Sequence, residues 1–290
     1  MLRYLGSTSL HVASSAPRIS ASFGDCDDIR LADDRANSGN ADGDYRHDSS
    51  IRGPLVTKLK SFVKLDVNEV EMLEGFCRNS RSYEANHNLI QEGSNPGCIF
   101  IVLSGLAYRF KLLPSGHRQI LGYLVPGDIC DLSFTILDWA DHNVSVLVPS
   151  RIAKFPLRKF IDSVATSVNV TRGLQLSAHL DTVIMREWLL NTGQSKAEQK
   201  LSHFLCEMAT RLKKVGKISA DGWFDFPVNQ VMLADTIGLT AVHINRTLQR
   251  LRRDGVILLD RRRLNILDMR RLRATANFEG RYLNSLDLVS

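Results

Sequence analysis

Residues 229–260 read NQVMLADTIGLTAVHINRTLQRLRRDGVILLD. Apolar residues at helical spacing, Val231, Leu233, Ala234 and Ile237, run up to Gly238. Glycine suits the left-handed residue that ends a helix. Thr240 follows at an N-cap position, where its hydroxyl can accept an otherwise orphaned amide of the next helix. In that second helix Val242 or Ile244, with Leu248 and Leu251, marks an inward stripe, while His243, Asn245, Arg246, Gln249, Arg250, Arg252 and Arg253 lie on other faces. Residues 256–260 and 264–267, joined at Arg261, Arg262 and Arg263, then read as a short hairpin. The spacing predicts a helix-turn-helix that runs straight into a β-wing. A donor-rich helix face matches base edges in a major groove, and an arginine tip matches phosphates.

Charge is distributed in keeping with that reading. The 290-residue chain has a formal net charge of +6. From residue 195 onward there are 17 Lys+Arg against 10 Asp+Glu, and the rest of the chain holds 20 against 21. The basic excess therefore sits with the helix-turn-helix, as binding to a polyanion requires. No apolar run is long enough to span a bilayer, so no membrane association is expected. The five cysteines, Cys26, Cys77, Cys98, Cys130 and Cys206, form no CxxC and give no zinc-knuckle or disulfide-framework pattern, which fits a reducing cytoplasm. No P-loop, HExxH or supported Ser-His-Asp spacing is present, so an enzyme is not expected.

Upstream, the texture changes twice. Residues 1–52 are rich in Ser, Ala, Gly, Asn and Asp, with an acidic tract and few large apolar partners, and read as a disordered extension. Residues 53–160 open with a helical lead-in and continue as short β segments at 88–91, 99–104, 106–112, 118–124, 143–148 and 151–156. Turn pairs such as Glu92-Gly93, Ser104-Gly105 and Gly127-Asp128 separate them, which predicts a β-sandwich or jelly roll. Residues 161–192 form a helical stripe (Leu174, Leu176, Leu180, Val183, Ile184, Leu190) that can pack on its own β domain or pair with a second copy. Asn191-Thr192-Gly193 is expected to break this helix and act as a hinge. Residues 193–268 hold the winged helix-turn-helix, including a helix over 196–214, and 269–290 form a tail that Asp268 opens as a helix N-cap. The fold class is α+β.

A jelly roll, a long helix, a hinge and a winged helix-turn-helix, in that order, resemble the Crp/Fnr family of bacterial transcription regulators. The resemblance covers about residues 55–268 and rests on EGSNPGCIFIVLSGLAYRFKLLPSGHRQILGYLVPGD and LADTIGLTAVHINRTLQRLRRDGVI. It implies a homodimer on double-stranded DNA with a two-fold operator, and RNA polymerase as a partner if the protein activates. Arg246 matches a position that contacts bases and phosphate in the family. Val242 stands where many members carry Glu, and can touch a thymine methyl but not accept from cytosine. Asn245 replaces a Ser or Gly, and can pair with adenine. Asn229, Gln230 and Thr240, at helix N-termini, and Arg262, at the wing tip, complete the expected DNA-contacting set with His243, Gln249 and Arg250.

The same resemblance locates the effector pocket. Cyclic-nucleotide-binding members follow a Pro-Gly-Asp-like turn with Gly-Glu and, further on, with an Arg that holds the cyclic phosphate. Here the turn is Pro126-Gly127-Asp128, Cys130 and Asp131 stand near the Gly and Glu, and His142 and Asn143 stand near the arginine. The pocket therefore reads as degenerate for cyclic nucleotide, with Asp131, His142, Asn143 and Cys130 as candidate lining residues. Cys130 is also a candidate redox switch, against the plainer reading of a packed thiol. No metal or cofactor is expected: only Cys26 lies where oxygen-sensing members cluster cysteines, and haem ligation by His87, His117 or Cys98 has nothing to support it. The alternatives are a regulator gated by cyclic nucleotide, haem or another small ligand, and a ligand-binding or protein-interaction module without DNA function.

Overall fold

The computed structural model describes residues 53–284, so the acidic extension lies outside the described residues, as does the end of the tail. Two short helices open the described chain: α1, Pro54–Lys60, and α2, Val67–Cys77. A capping box starts α2. The Asp66 carboxylate accepts from the Glu69 amide at 2.8 Å, and the Glu69 carboxylate accepts from the Asp66 amide at 2.9 Å. Both helices bury Leu55, Leu59, Leu73 and Phe76 beneath the β domain.

Seven strands form that domain: β1 (Ser80–Tyr83), β2 (Asn88–Ile90), β3 (Cys98–Ser104), β4 (Ala107–Leu112), β5 (Arg118–Leu124), β6 (Asn143–Val146) and β7 (Ser150–Pro156). All pairings are antiparallel, in sheets ordered β1-β7-β3 and β2-β6-β4-β5. Phe100, Val102, Leu124, Val144, Val146 and Ile152 are buried together as one core cluster drawn from both sheets. The sandwich expected from the turn chemistry is thus present. β1 was not expected, because SRSY is short, polar and lacks apolar alternation.

After β7 the chain is helical: α3 (Leu157–Val164), α4 (Val168–Gln194) and α5 (Ala197–Lys214). Ser167 caps α4 by accepting from the Val170 amide at 3.0 Å. The expected break at Asn191-Thr192-Gly193 does not occur, and α4 runs through it to Gln194. Asn191 and Gly193 are tolerated there because one unfavourable residue costs a helix only about 1 kcal/mol, and Asn191 donates back to the Glu187 carbonyl at 2.8 Å. The connection to α5 is made at Ser195 and Lys196.

A second, three-stranded sheet, β8 (Trp223–Asp225), β10 (Arg263–Ile266) and β9 (Ile257–Asp260), carries the wing. Before it come α6 (Gln230–Ile237) and α7 (Ala241–Arg253), and after it α8 (Met269–Ala276) and α9 (Arg281–Asn284). Asp268 caps α8 by accepting from the Arg271 amide at 2.8 Å. Leu272, Ala276, Phe278 and Leu283 are buried in one core with Leu205, Phe204 and Met208 of α5. The segment after 268, read from sequence as a tail, is packed into the helix-turn-helix domain at least to Leu283.

That core does not stop at the domain boundary. Tyr108, Phe110, Ile120 and Tyr123 of β4 and β5 belong to the same buried cluster as Leu233, Ile237, Ile244 and Leu251. The helix-turn-helix domain is therefore seated on the outer face of the β-roll, with α6 against β5.

Candidate nucleic-acid interface and sensor cavity

Each helix of the pair is held at its start by its own side chain. The Asn229 carbonyl oxygen accepts from the Met232 amide at 2.9 Å, and the Thr240 hydroxyl accepts from the His243 amide at 3.3 Å. Gly238 between them has φ 66 and ψ 43, the left-handed conformation that closes α6. In α6 the inward residues are Met232, Leu233, Thr236 and Ile237, while Val231 is 58% exposed, one residue off the expected stripe. In α7 the choice between Val242 and Ile244 falls to Ile244. Ile244, Thr247, Leu248 and Leu251 are buried at spacings of three and four, and Val242 is 60% exposed.

The outward face of α7 carries Val242, His243, Asn245, Arg246, Gln249 and Arg250, all exposed, and Asn229, Gln230 and Thr240 are exposed at the adjoining helix starts. The Gln230 amide donates to Asn245 Oδ1 at 3.3 Å, which orients the amide most able to read an adenine. Arg250 is the least free of the set: its guanidinium meets Glu198 of α5 at 2.9 Å. Arg246 is exposed and is the strongest candidate for a base contact. At the wing, the turn is two residues, Arg261 and Arg262, shorter than expected, because Arg263 pairs with Asp260 as the first residue of β10. Arg263 lies over the Trp223 ring, 5.5 Å from its centroid, so it packs on the sheet and leaves Arg261 and Arg262 to face outward.

The β-roll holds a cavity of about 700 Å³ between β4, β5, the segment 131–142 and α4. Its walls are largely apolar: Leu121, Ile136, Phe160, Val164, Leu174 and Ile184 contribute, with Asp131 and His142 among the polar groups. Two expected lining residues are elsewhere. Cys130 is fully buried in the sandwich core, and burial pushes its thiol up to about 12, which leaves no thiolate at neutral pH for redox chemistry. The Asn143 side chain accepts from the Glu92 amide at 3.0 Å and so ties down a loop of the roll. Both were expected in the cavity from the family resemblance, Cys130 near the motif's Gly and Asn143 near its Arg, but Cys130 turns into the sandwich core and the Asn143 amide toward Glu92.

The principal cation of the cavity escaped the sequence reading. Arg109 of β4 donates to the Cys130 and Ile129 carbonyls at 2.9 and 3.2 Å and to Asp181 of α4 at 3.0 Å. Burial acts to lower the Arg109 pKa, but Asp181, Asp131 and Asp128 outweigh it and raise the guanidinium further above its ordinary value. Arg211, from α5, is also committed, to Asp128 at 2.8 Å and Glu207 at 3.2 Å. Burial pushes the Asp128 carboxyl up, but Lys58 at 2.7 Å and Arg211 hold it below the usual carboxylate range. An arginine flanked by apolar residues at the centre of AYRFKL was the one available signal, since a charge there needs a partner across the sheet.

Two domain families match the chain. Residues 80–167 match the cyclic nucleotide-binding domain, and residues 199–275 match the Crp-like helix-turn-helix domain. Among curated relatives, the transcriptional activator protein FnrL of Cereibacter sphaeroides is 28% identical over 213 residues, 72% of this chain and 84% of the relative. The nitrogen fixation regulation protein FixK of Bradyrhizobium diazoefficiens is 26% identical over 239 residues, 81% of this chain and 94% of the relative. Among solved structures, FixK2 from Bradyrhizobium japonicum superposes with a TM-score of 0.61 at 21% identity, over 68% of this chain and 96% of that one. The paired domains, in this order around a long helix, place the chain in the Crp/Fnr family of DNA-binding transcription regulators.

Proposed function

We propose that the chain acts as a homodimer on a two-fold symmetric operator, with α7 in the major groove and the wing tip on the backbone. The observation that carries this is the division of α7. Ile244, Leu248 and Leu251 are buried while Asn245, Arg246 and Gln249 are exposed beside a basic wing. In support of a dimer, α4 exposes Met185, Leu189 and Leu190 along one side, more apolar surface than a lone helix end needs. Two reading heads on one axis set the half-site spacing at about 34–36 Å. The setting is the cytoplasm. If the protein activates, RNA polymerase is the further partner.

The half-site differs from those read through a glutamate, because Val242 offers only a methyl contact. The cavity is not suited to a cyclic phosphate. Its arginines are already paired with Asp181, Asp128 and Glu207, and Asp131 and Asp141 add further carboxylates to its lining. The experiment is selection of duplexes from a random pool by the purified chain, followed by titration of the recovered site across salt concentrations. A symmetric motif with a salt slope of several phosphates is expected, since each neutralised phosphate contributes about 0.9 to the slope. Recovery of no motif, with equal affinity for all duplexes, overturns the proposal.

A further inference from the structure

The polar end of the sensor cavity has a donor arrangement that its protein surroundings leave unfinished. His142 Nδ1 lies 2.7 Å from Asp141 Oδ1. An ionised carboxylate can only accept, so Nδ1 carries a proton, and a neutral ring then offers a lone pair at Nε2. The His142 residue is 8% exposed, and Nε2 is buried without any hydrogen-bond partner among the described residues. Asp131 Oδ2 lies 4.0 Å from it, and a carboxylate oxygen is an acceptor. A buried ring nitrogen without a partner, opposite a carboxylate oxygen, is a place where a cation can bind.

The surroundings do not supply it. Arg109 is engaged by Asp181 and two carbonyls, and Arg211 by Asp128 and Glu207. Asp131 is itself fixed in place. Its Oδ1 accepts from the Ser133 amide at 2.7 Å and its Oδ2 from the Ser133 hydroxyl at 2.8 Å, which leaves a lone pair on Oδ2. A tetrahedral ion about 2.1 Å from each ligand sets the two atoms about 3.4 Å apart, so the 4.0 Å gap closes by roughly half an ångström around it. Asp141 behind the imidazole completes the carboxylate–histidine relay that orients metal-bound histidines. The Asp131, Asp141 and His142 ligand atoms lie within 4.8 Å of one another.

We propose that Asp131 and His142 bind one divalent first-row transition ion, oriented by Asp141, at the polar end of the cavity. One imidazole nitrogen with one carboxylate favours zinc, copper, iron, cobalt or nickel over magnesium and calcium, which take all-oxygen sets. Two protein ligands leave coordination positions open toward the apolar cavity, where water or a small effector can complete the shell.

The test uses the full chain, freed of metal and without DNA, so its result is independent of the operator experiment. Titration with Co²⁺, followed by its visible bands, is expected to show one ion that Zn²⁺ displaces. His142→Ala and Asp131→Asn each weaken binding by tenfold or more, and Asp141→Asn, an outer partner, weakens it about 10–100-fold. Failure to bind Co²⁺, or variants that stay folded and lose less than tenfold, overturns the proposal. Because a variant can fail to fold, an anomalous difference map of Zn²⁺-soaked wild-type crystals gives a second reading. A peak between His142 and Asp131 supports the site, and zinc found only elsewhere on the chain refutes it.

Discussion

Arg118 of β5 donates through Nε and Nη2 to one carboxylate oxygen of Asp235 on α6, at 3.1 and 2.8 Å, and so joins the β-roll to the first helix of the DNA-reading pair. Around that pair, the Gln119 amide donates to the Asp235 carbonyl at 2.8 Å, and the Tyr123 and Thr236 hydroxyls are 2.9 Å apart in a buried setting. Arg118 also rests 5.3 Å from the Tyr108 ring centroid. The β-roll thus grips the back of α6 and leaves α7 facing outward.

The ion pair is partly exposed, with side chains 27% and 23% accessible, so its net contribution is modest. A double-mutant cycle on Arg118→Ala and Asp235→Ala, read by denaturant unfolding, is expected to give a coupling of about 1 kcal/mol. Strict additivity would show that the two side chains are neighbours without being partners.

Arg246→Ala is expected to lower operator affinity by about 1–3 kcal/mol per half-site while leaving affinity for unrelated duplexes nearly unchanged. Among the described residues Arg246 is exposed and takes part in no hydrogen bond or ion pair, so the melting midpoint should stay put. Equal losses on operator and random DNA would reassign it to the backbone. Arg250→Ala is expected to have the smaller effect, because that guanidinium already meets Glu198.

The three wing arginines separate into two roles. Arg261 has a φ of 50, a left-handed conformation that costs a side-chain-bearing residue about 1–2 kcal/mol. Glycine relieves this strain but adds about 0.5–1 kcal/mol of unfolded-state entropy. Arg261→Gly therefore leaves stability unchanged or slightly higher, yet lowers the salt slope by about 0.9 per lost phosphate contact. Arg263→Ala behaves in the opposite way, losing about 0.5–1 kcal/mol of stability from its stacking on Trp223 with little change in slope. A drop in slope for Arg263→Ala equal to that for Arg261→Gly would remove the distinction.

What could be read from sequence follows the range of the interactions. The caps at Asn229, Thr240 and Asp268 and the stripe Leu248-Leu251 are set by residues three or four apart, so periodicity finds them. The short strands were legible through their turns, except β1, whose SRSY has no apolar face to pair with a turn signal. The cavity depended on Arg109 and Asp181, which are 72 residues apart, and on which way Cys130, in a bend, and Asn143 of β6 turn. The grip of Arg118 on Asp235 spans 117 residues, and neither residue has a local pattern that marks it. The packing of 269–284 onto α5 was missed for the same reason. Leu272, Ala276 and Leu283 are spaced too sparsely to announce a buried face.

His203 sets an acid limit to the stability of the reading domain. It lies in α5, 4% exposed, with the Phe278 ring edge-on at 5.1 Å and the Tyr282 ring stacked at 6.2 Å. Burial lowers its pKa from 6.5 to about 4, and the Glu187 carboxylate of α4 at 3.9 Å, itself partly in solvent, does not offset this. The folded state therefore keeps His203 neutral down to about pH 4, whereas the unfolded chain takes up the proton near 6.5. Below 6.5 the unfolded state binds more protons, so stability falls as pH falls through this window and levels off beneath it. The slope amounts to about 1 kcal/mol per pH unit. His203→Gln keeps a polar side chain of similar size without the titration. Its unfolding free energy, measured by denaturant between pH 7 and pH 4, should converge on that of the wild type or overtake it as the pH drops. A constant gap between the two proteins would show that another group, such as Asp128 with its Lys58 and Arg211 partners, carries the acid sensitivity.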